Sequence, residues 1–187
     1  MDVLPDDAAL VIIDVQEGLD DPKLGRRNNL DAEANAGRLL AAWRRTERPV
    51  FHVRHLSRNP ESPLRPGQPG VEIKAAVRPG PGEPVIEKHV NGAFVGTDLE
   101  ERLRRQGIAT LVIAGLTTDH CVSNTTRMAN DLGFRTYLVG DATAAFDRVG
   151  HDGQRHPAEA VHAITLASLH GEVATVIDTD DALRRLG

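Results

Sequence analysis

A chain of 187 residues, 40% hydrophobic and 26% charged, is long enough to bury one full-sized core. A formal charge of −5 and 3% aromatic residues leave no basic patch, polybasic anchor or base-stacking platform, so neither nucleic acid nor a membrane surface is an expected partner. One cysteine cannot close an intrachain disulfide, no apolar run approaches the roughly 18 residues of a membrane span, and the acidic N-terminus lacks a signal-peptide layout, so a cytoplasmic address is expected.

Residues 8–13 form a continuous apolar run rich in β-branched side chains, the pattern of a strand buried on both faces. It ends in Asp14-Val15-Gln16-Glu17. Residues 29–45 predict a helix, with Leu30, Ala34, Leu39, Ala42 and Trp43 on one face and Arg44 and Arg45 near the end. Residues 49–54 predict a second strand. Residues 56–84 hold seven of the eleven prolines. An interdomain linker is one explanation, but neither flank is large enough to close a parallel sheet alone. A single domain over 1–187 carrying a long ordered loop is expected, and such loops serve as lids, binding loops or interface arms.

Residues 84–88 predict a third strand ending at Lys88. Thr97 is a candidate N-cap with Glu100 at the capping-box spacing, and Gly107 stops that helix. Then follow a strand at 109–114, a helix at 119–132 capped by Asp119 and stopped by Gly133, and a strand at 135–139. A polar loop at 141–157, a helix at 158–169, a strand at 172–177 and a helix at 179–186 complete the chain. This alternation predicts an α/β fold of three α-β-α layers around a mostly parallel, doubly wound sheet of about six strands. No GxGxxG follows the first strand and no GxxxxGK[ST] occurs, so no nucleotide cofactor is expected.

In doubly wound sheets ligands bind beyond the carboxyl ends of the strands. Asp14, Lys88 and Cys121 all fall at that edge. Cys121 sits where a strand turns into a helix, and the partial positive charge of a helix start favours thiolate. Taken singly, Cys121 also reads as a small buried hydrophobe, Asp14 as a turn residue and Lys88 as a strand-end ion-pair partner. Taken together they form a reactive set: a thiol to attack a carbonyl, a carboxylate to accept and return the proton, and a cation to hold the carboxylate and lower the thiol pKa. Lysine occurs only at 23, 74 and 88 against an arginine-rich background, and only Lys88 ends a strand. His52 and His55, three apart on a strand, point to opposite faces, so no shared metal is expected. His120 adjoins the nucleophile but diverges from it on a helix, and His162 and His170 read as structural.

Val11-Ile12-Ile13-Asp14-Val15-Gln16, Glu87-Lys88 and Gly115-Leu116-Thr117-Thr118-Asp119-His120-Cys121-Val122, in that order and spacing, resemble the isochorismatase-like cysteine hydrolases over nearly the whole chain. The resemblance implies an Asp14-Lys88-Cys121 triad, a thioester intermediate and hydrolysis of small amides or related C–N bonds. It also implies a non-proline cis peptide before Thr117, an oxyanion hole from the Thr117 and Cys121 N–H groups, and a homodimer or homotetramer. Members acting on vinyl ethers lack the cysteine, so the thiol points to an amidase. Nicotinamidases carry an Asp-x-His metal motif after the second strand; here Arg54-His55-Leu56-Ser57 stands there, and no metal is expected. Gln16, His55, Phe94 and Asp119 are candidate substrate contacts, with a core role for Phe94 and a surface role for His55 as the alternatives. The expected function is hydrolysis of a small amide, imide, lactam or carbamoyl compound. The alternatives are an isochorismatase-type ether hydrolase and a non-catalytic ligand- or redox-sensing member.

Overall fold

The computed structural model describes residues 3–187. Six parallel strands form the central sheet: β1 (Ala9–Ile13), β2 (Val50–His55), β3 (Val85–Lys88), β4 (Thr110–Leu116), β5 (Arg135–Ala144) and, last in sequence, a strand at Thr175–Ile177. Two short strands, β6 (Arg148–Val149) and β7 (Arg155–His156), pair as a separate antiparallel hairpin, so the Thr175–Ile177 strand is β8. The sheet order is β3-β2-β1-β4-β5-β8. The direction of winding therefore reverses between β1 and β4, the place where open α/β sheets leave a crevice.

Alternation along the strands sorts the core into two layers. Leu10, Ile12, Val112, Ala114 and Val139 face α1 (Ala32–Arg45), with its Leu39, Leu40 and Trp43, and α5 (Thr179–Arg184). Ala9, Val11, Ile13, Leu111, Ile113 and Leu138 face α2 (Leu99–Arg105), α3 (Ser123–Asp131) and α4 (Ala158–Leu169). All five β1 residues are buried, as a strand covered on both faces requires. The Trp43 indole, fully buried, satisfies its one donor on the Ala8 carbonyl at 2.9 Å.

Several local expectations are corrected. Leu30 lies ahead of α1, which begins at Ala32, and is 79% exposed rather than part of the apolar face. The α2 helix starts at Leu99 after Asp98, and Thr97 accepts the Leu99 N–H from one residue further back. β5 runs five residues past its expected end, to Ala144, because a register shift against β4 between Ile113 and Gly115 lets Thr143 and Ala144 rejoin the ladder. The loop expected at 141–157 is thus partly sheet and partly the β6–β7 hairpin.

The Pro-rich segment after β2 is packed against the body of the protein. It contains two single turns, Pro69–Val71 and Ala75–Val77, and buries Val77 completely. Backbone bonds join Glu17 N–H to Glu72 O and Lys74 N–H to Val15 O, and Arg44 and His52 both bind Glu83.

Candidate active site

Backbone geometry prepares the switch point before any side chain acts. Asp14 leaves β1 with φ of 51°, a left-handed conformation that Asp tolerates better than most residues. Gly115 has φ of 121°, and a Cβ there would lie 2.0 Å from Ile13 O. Only glycine lets the β4 backbone approach β1 this closely. The Leu116–Thr117 peptide bond is cis.

After β4 the chain enters one wide helical turn, Thr118–Val122, and passes directly into α3. Thr117 O takes the His120 and Val122 N–H groups and passes over that of Cys121 between them. Such five-residue turns recur at functional positions. Thr118 Oγ1 lies 2.9 Å from His162 Nδ1, which ties the turn to α4. The expected Asp119 cap does not form: the Asp119 carboxylate instead accepts from Arg148 Nε at 2.7 Å.

The three reactive side chains converge. Lys88 Nζ is 2.6 Å from Asp14 Oδ2 and 3.2 Å from Cys121 Sγ, and its side chain is fully buried. It also reaches Val90 O at 3.2 Å and His55 Nδ1 at 3.0 Å. Lys88 stands on an edge-side strand in register with His55, so its stem crosses the end of β2 to reach Asp14. Asp14 Oδ1 is buried without a hydrogen-bond partner among the described residues. Asp14, His55 and Cys121 present their ligand-type atoms within 4.8 Å of one another, a grouping that suits a metal ion. The Lys88 ammonium stands within hydrogen-bond distance of all three, so a cation already fills that space.

Electrostatics reverses one expectation. The Cys121 thiol is pushed up to about 12, first by burial and then by the Asp14 charge; Lys88 pulls the other way and does not prevail. Burial likewise raises Asp14, against the opposing pull of Lys88. A second negative charge beside Asp14 is resisted, so the resting pair keeps the proton on sulfur. His55 is pushed down to about 4 by burial and by Lys88.

A cavity of about 280 Å3 opens on this cluster, lined by Asp14, His55, Thr117 and Cys121 at its floor. Its remaining walls include Leu19, Leu64, Asn91 and Phe146, with Arg148 and the exposed His120 among its polar members. Of the proposed substrate contacts, only His55 lines it. Gln16 is fully buried: its Nε2 donates to His55 O and Val71 O, and its Oε1 accepts from His55 N–H. Its amide is used up in holding backbone and has nothing to offer a ligand. Phe94 packs on Phe134, with centroids 6.0 Å apart, and stays outside the cavity. Asp119 sits behind Arg148; burial would raise it, but the Arg148 hydrogen bond and the neighbouring charges hold it low. Sequence reasoning missed Asn91, whose Oδ1 is 3.8 Å from Cys121 Sγ, and Arg148. Asn91 follows Lys88 by three residues, which was a usable signal; Arg148 stands in a stretch expected to be loop and had none.

Because Lys88 can only donate, His55 Nδ1 must accept, and the ring proton belongs on Nε2. Protonating His55 would set a second cation 3.0 Å from Lys88. Its folded pKa lies below the ordinary histidine value, so the unfolded chain binds more protons between pH about 4 and 6.5. Stability is expected to fall as pH drops through that window. Urea unfolding from pH 7 to 4 should show a smaller fall for His55→Gln than for the parent chain; equal slopes would contradict this role.

The sequence profile of the isochorismatase domain matches residues 8–181. The chain is 47% identical over 175 residues to the uncharacterized isochorismatase family protein YrdC of Bacillus subtilis, covering 94% of each. It is 30% identical over 197 residues to nicotinamidase 3 of Arabidopsis thaliana, covering 96% of this chain and 88% of that one. Its fold is similar to a crystal structure of an isochorismatase-family protein from Chromobacterium violaceum, with a TM-score of 0.96 and 44% identity over 100% of this chain and 97% of that one.

Proposed function

The chain belongs to the isochorismatase family of hydrolases, and from that premise we propose that it is a cysteine amidohydrolase cleaving a C–N bond of a small amide, imide, lactam or carbamoyl compound. The observation that carries this reading is the buried contact of Lys88 with both Asp14 and Cys121 at the floor of the cavity. Similarity to a nicotinamidase supports an amide bond as the target. Among the described residues no helix is long and apolar enough to cross a membrane, and a cavity of about 280 Å3 suits a small substrate.

The Asp14 carboxylate, which has an oxygen within 4.8 Å of Cys121 Sγ, takes the thiol proton as Sγ attacks the carbonyl carbon. The raised pKa of Asp14 makes it a better acceptor than an ordinary carboxylate, which offsets part of the cost of ionising a thiol held near 12. The tetrahedral oxyanion is stabilised by the N–H groups of Thr117 and Cys121. Collapse breaks the C–N bond; the nitrogen leaves with the proton from Asp14, and the acyl group stays on sulfur as a thioester. Asp14 then removes a proton from water, the resulting hydroxide adds to the thioester, and the C–S bond breaks with return of the proton to sulfur. Lys88, in contact with both groups, offsets the negative charge as it passes between the carboxylate and sulfur.

The test is an ammonia-release screen across small amides and ureides, with intact-mass analysis of acid-quenched turnover. Ammonia release with an acyl adduct mapped to Cys121 is the expected result. Release from an active substrate with no adduct under slow-turnover conditions would overturn the covalent route.

A further inference from the structure

Arg148 is the one strong, permanently charged donor among the described residues lining the cavity, and its setting is built rather than incidental. It opens the β6–β7 hairpin, where its backbone pairs with His156. Its Nε–H donates to Asp119 Oδ2 at 2.7 Å, and Asp119 is itself buried to about nine-tenths of its side chain. One Nη2 hydrogen points at His120 Nδ1 at 3.4 Å. Both partners engage the same side of the guanidinium. Its Nη1 amino group and the second Nη2 hydrogen have no protein acceptor among the described residues, which leaves the end-on fork free.

That fork matches two oxygens of a planar anion. The lining also includes the apolar side chains of Leu19, Leu64 and Phe146 and the polar ones of Ser62, Asn91 and His120, and among the described residues the only carboxylate lining the cavity is Asp14, already paired with Lys88. A cation in the wall of a small cavity selects for a complementary charge on the ligand. We propose that Arg148, oriented by Asp119, is the residue that recognises a carboxylate on the substrate. This rests on the amidohydrolase reading and narrows it: the substrate is a small acidic amide or ureide, with the scissile carbonyl at Cys121 and the carboxylate on Arg148. Asp119 is a positioning residue in this arrangement, since it acts through Arg148.

Two alkylating reagents of nearly equal size test this without knowledge of the substrate. Iodoacetate carries the carboxylate and iodoacetamide is its neutral counterpart, and both report on the same Cys121 thiol. Their rate ratio cancels any change in thiol pKa between variants. At neutral pH the iodoacetate-to-iodoacetamide ratio is expected to fall about tenfold on Arg148→Met, the scale of a lost hydrogen bond to a charged group. Arg148→Lys, which keeps charge but loses the fork, should fall between the two. An unchanged ratio in Arg148→Met overturns the proposal, as does a loss shared equally by both reagents. Neither reagent is hydrolysed, so the ratio is independent of turnover: an amide screen that releases nothing would sink the activity and leave this subsite standing. In that screen succinamate should be preferred over succinamide, and the reverse preference would count against Arg148.

Discussion

Asp14→Asn is expected to lower turnover by about 1,000-fold or more while making Cys121 easier to alkylate near neutral pH. The first effect follows from removing the carboxylate proposed to shuttle a proton between thiol, leaving nitrogen and water. The second follows from the electrostatics of the pair. Asp14's charge is, after burial, the largest influence holding the thiol near 12, and Lys88 is the opposing one. Asparagine removes the negative charge and leaves the ammonium 3.2 Å from sulfur, so the thiol pKa falls and the thiolate fraction at pH 7 rises. A pH profile of iodoacetamide alkylation measures this directly. Faster alkylation with failing turnover separates the base from the nucleophile. Slower alkylation would mean that Asp14 accepts the proton during alkylation too, and that the thiolate is never free.

Lys88→Met should act on stability and on catalysis together. Lys88 has no exposed side-chain surface and Asp14 is 2% exposed, so the substitution leaves a buried carboxylate with no counter-ion. Breaking a buried pair in this way costs about 3–5 kcal/mol. The carboxylate escapes part of the penalty by taking a proton, which makes the loss depend on pH. Its folded pKa then stands above its unfolded value, so the folded chain binds more protons and stability declines as pH rises. Urea unfolding should therefore show a deficit that is small near pH 4 and larger by pH 8. Combining Lys88→Met with Asp14→Asn removes the stranded charge and should recover part of the stability at pH 8, with turnover still abolished. A deficit independent of pH would show that lost packing, rather than the unpaired carboxylate, is what the lysine prevents.

The convergence of Asp14, Lys88 and Cys121 was legible because it depends only on strand order and strand ends. A buried strand ending in Asp14, another ending in Lys88 and a third feeding a helix at Cys121 must deliver all three to one edge of a parallel sheet. The charge state of the thiol was not legible. A helix start and a nearby lysine both argue for thiolate, yet burial and the Asp14 carboxylate outweigh them, and neither magnitude can be read from spacing. Gln16 and Phe94 stand beside reactive residues in the chain but face backbone and core. Adjacency in a strand or loop fixes neither direction nor depth. Arg148 went unseen because β5 continues past a register shift to Ala144 and the hairpin forms just beyond, where the residue pattern reads only as polar loop.

The tethers of the Pro-rich segment have a further consequence. Gln16 holds Val71 and His55 through their main-chain carbonyls, Glu17 holds Glu72 by its carbonyl, and Val15 receives the Lys74 N–H. Ser57 N–H closes the near end on Leu64 O. Main-chain groups are the same for every residue type except proline's missing N–H, so these attachments survive most changes in the side chains they fasten. Ser62, Pro63 and Leu64, which line the cavity, can therefore vary while the path of the segment and the Asp14-Lys88-Cys121 cluster stay where they are. The wall is thus fastened independently of the side chains it presents, whereas the cluster beneath it is held by the side chains themselves.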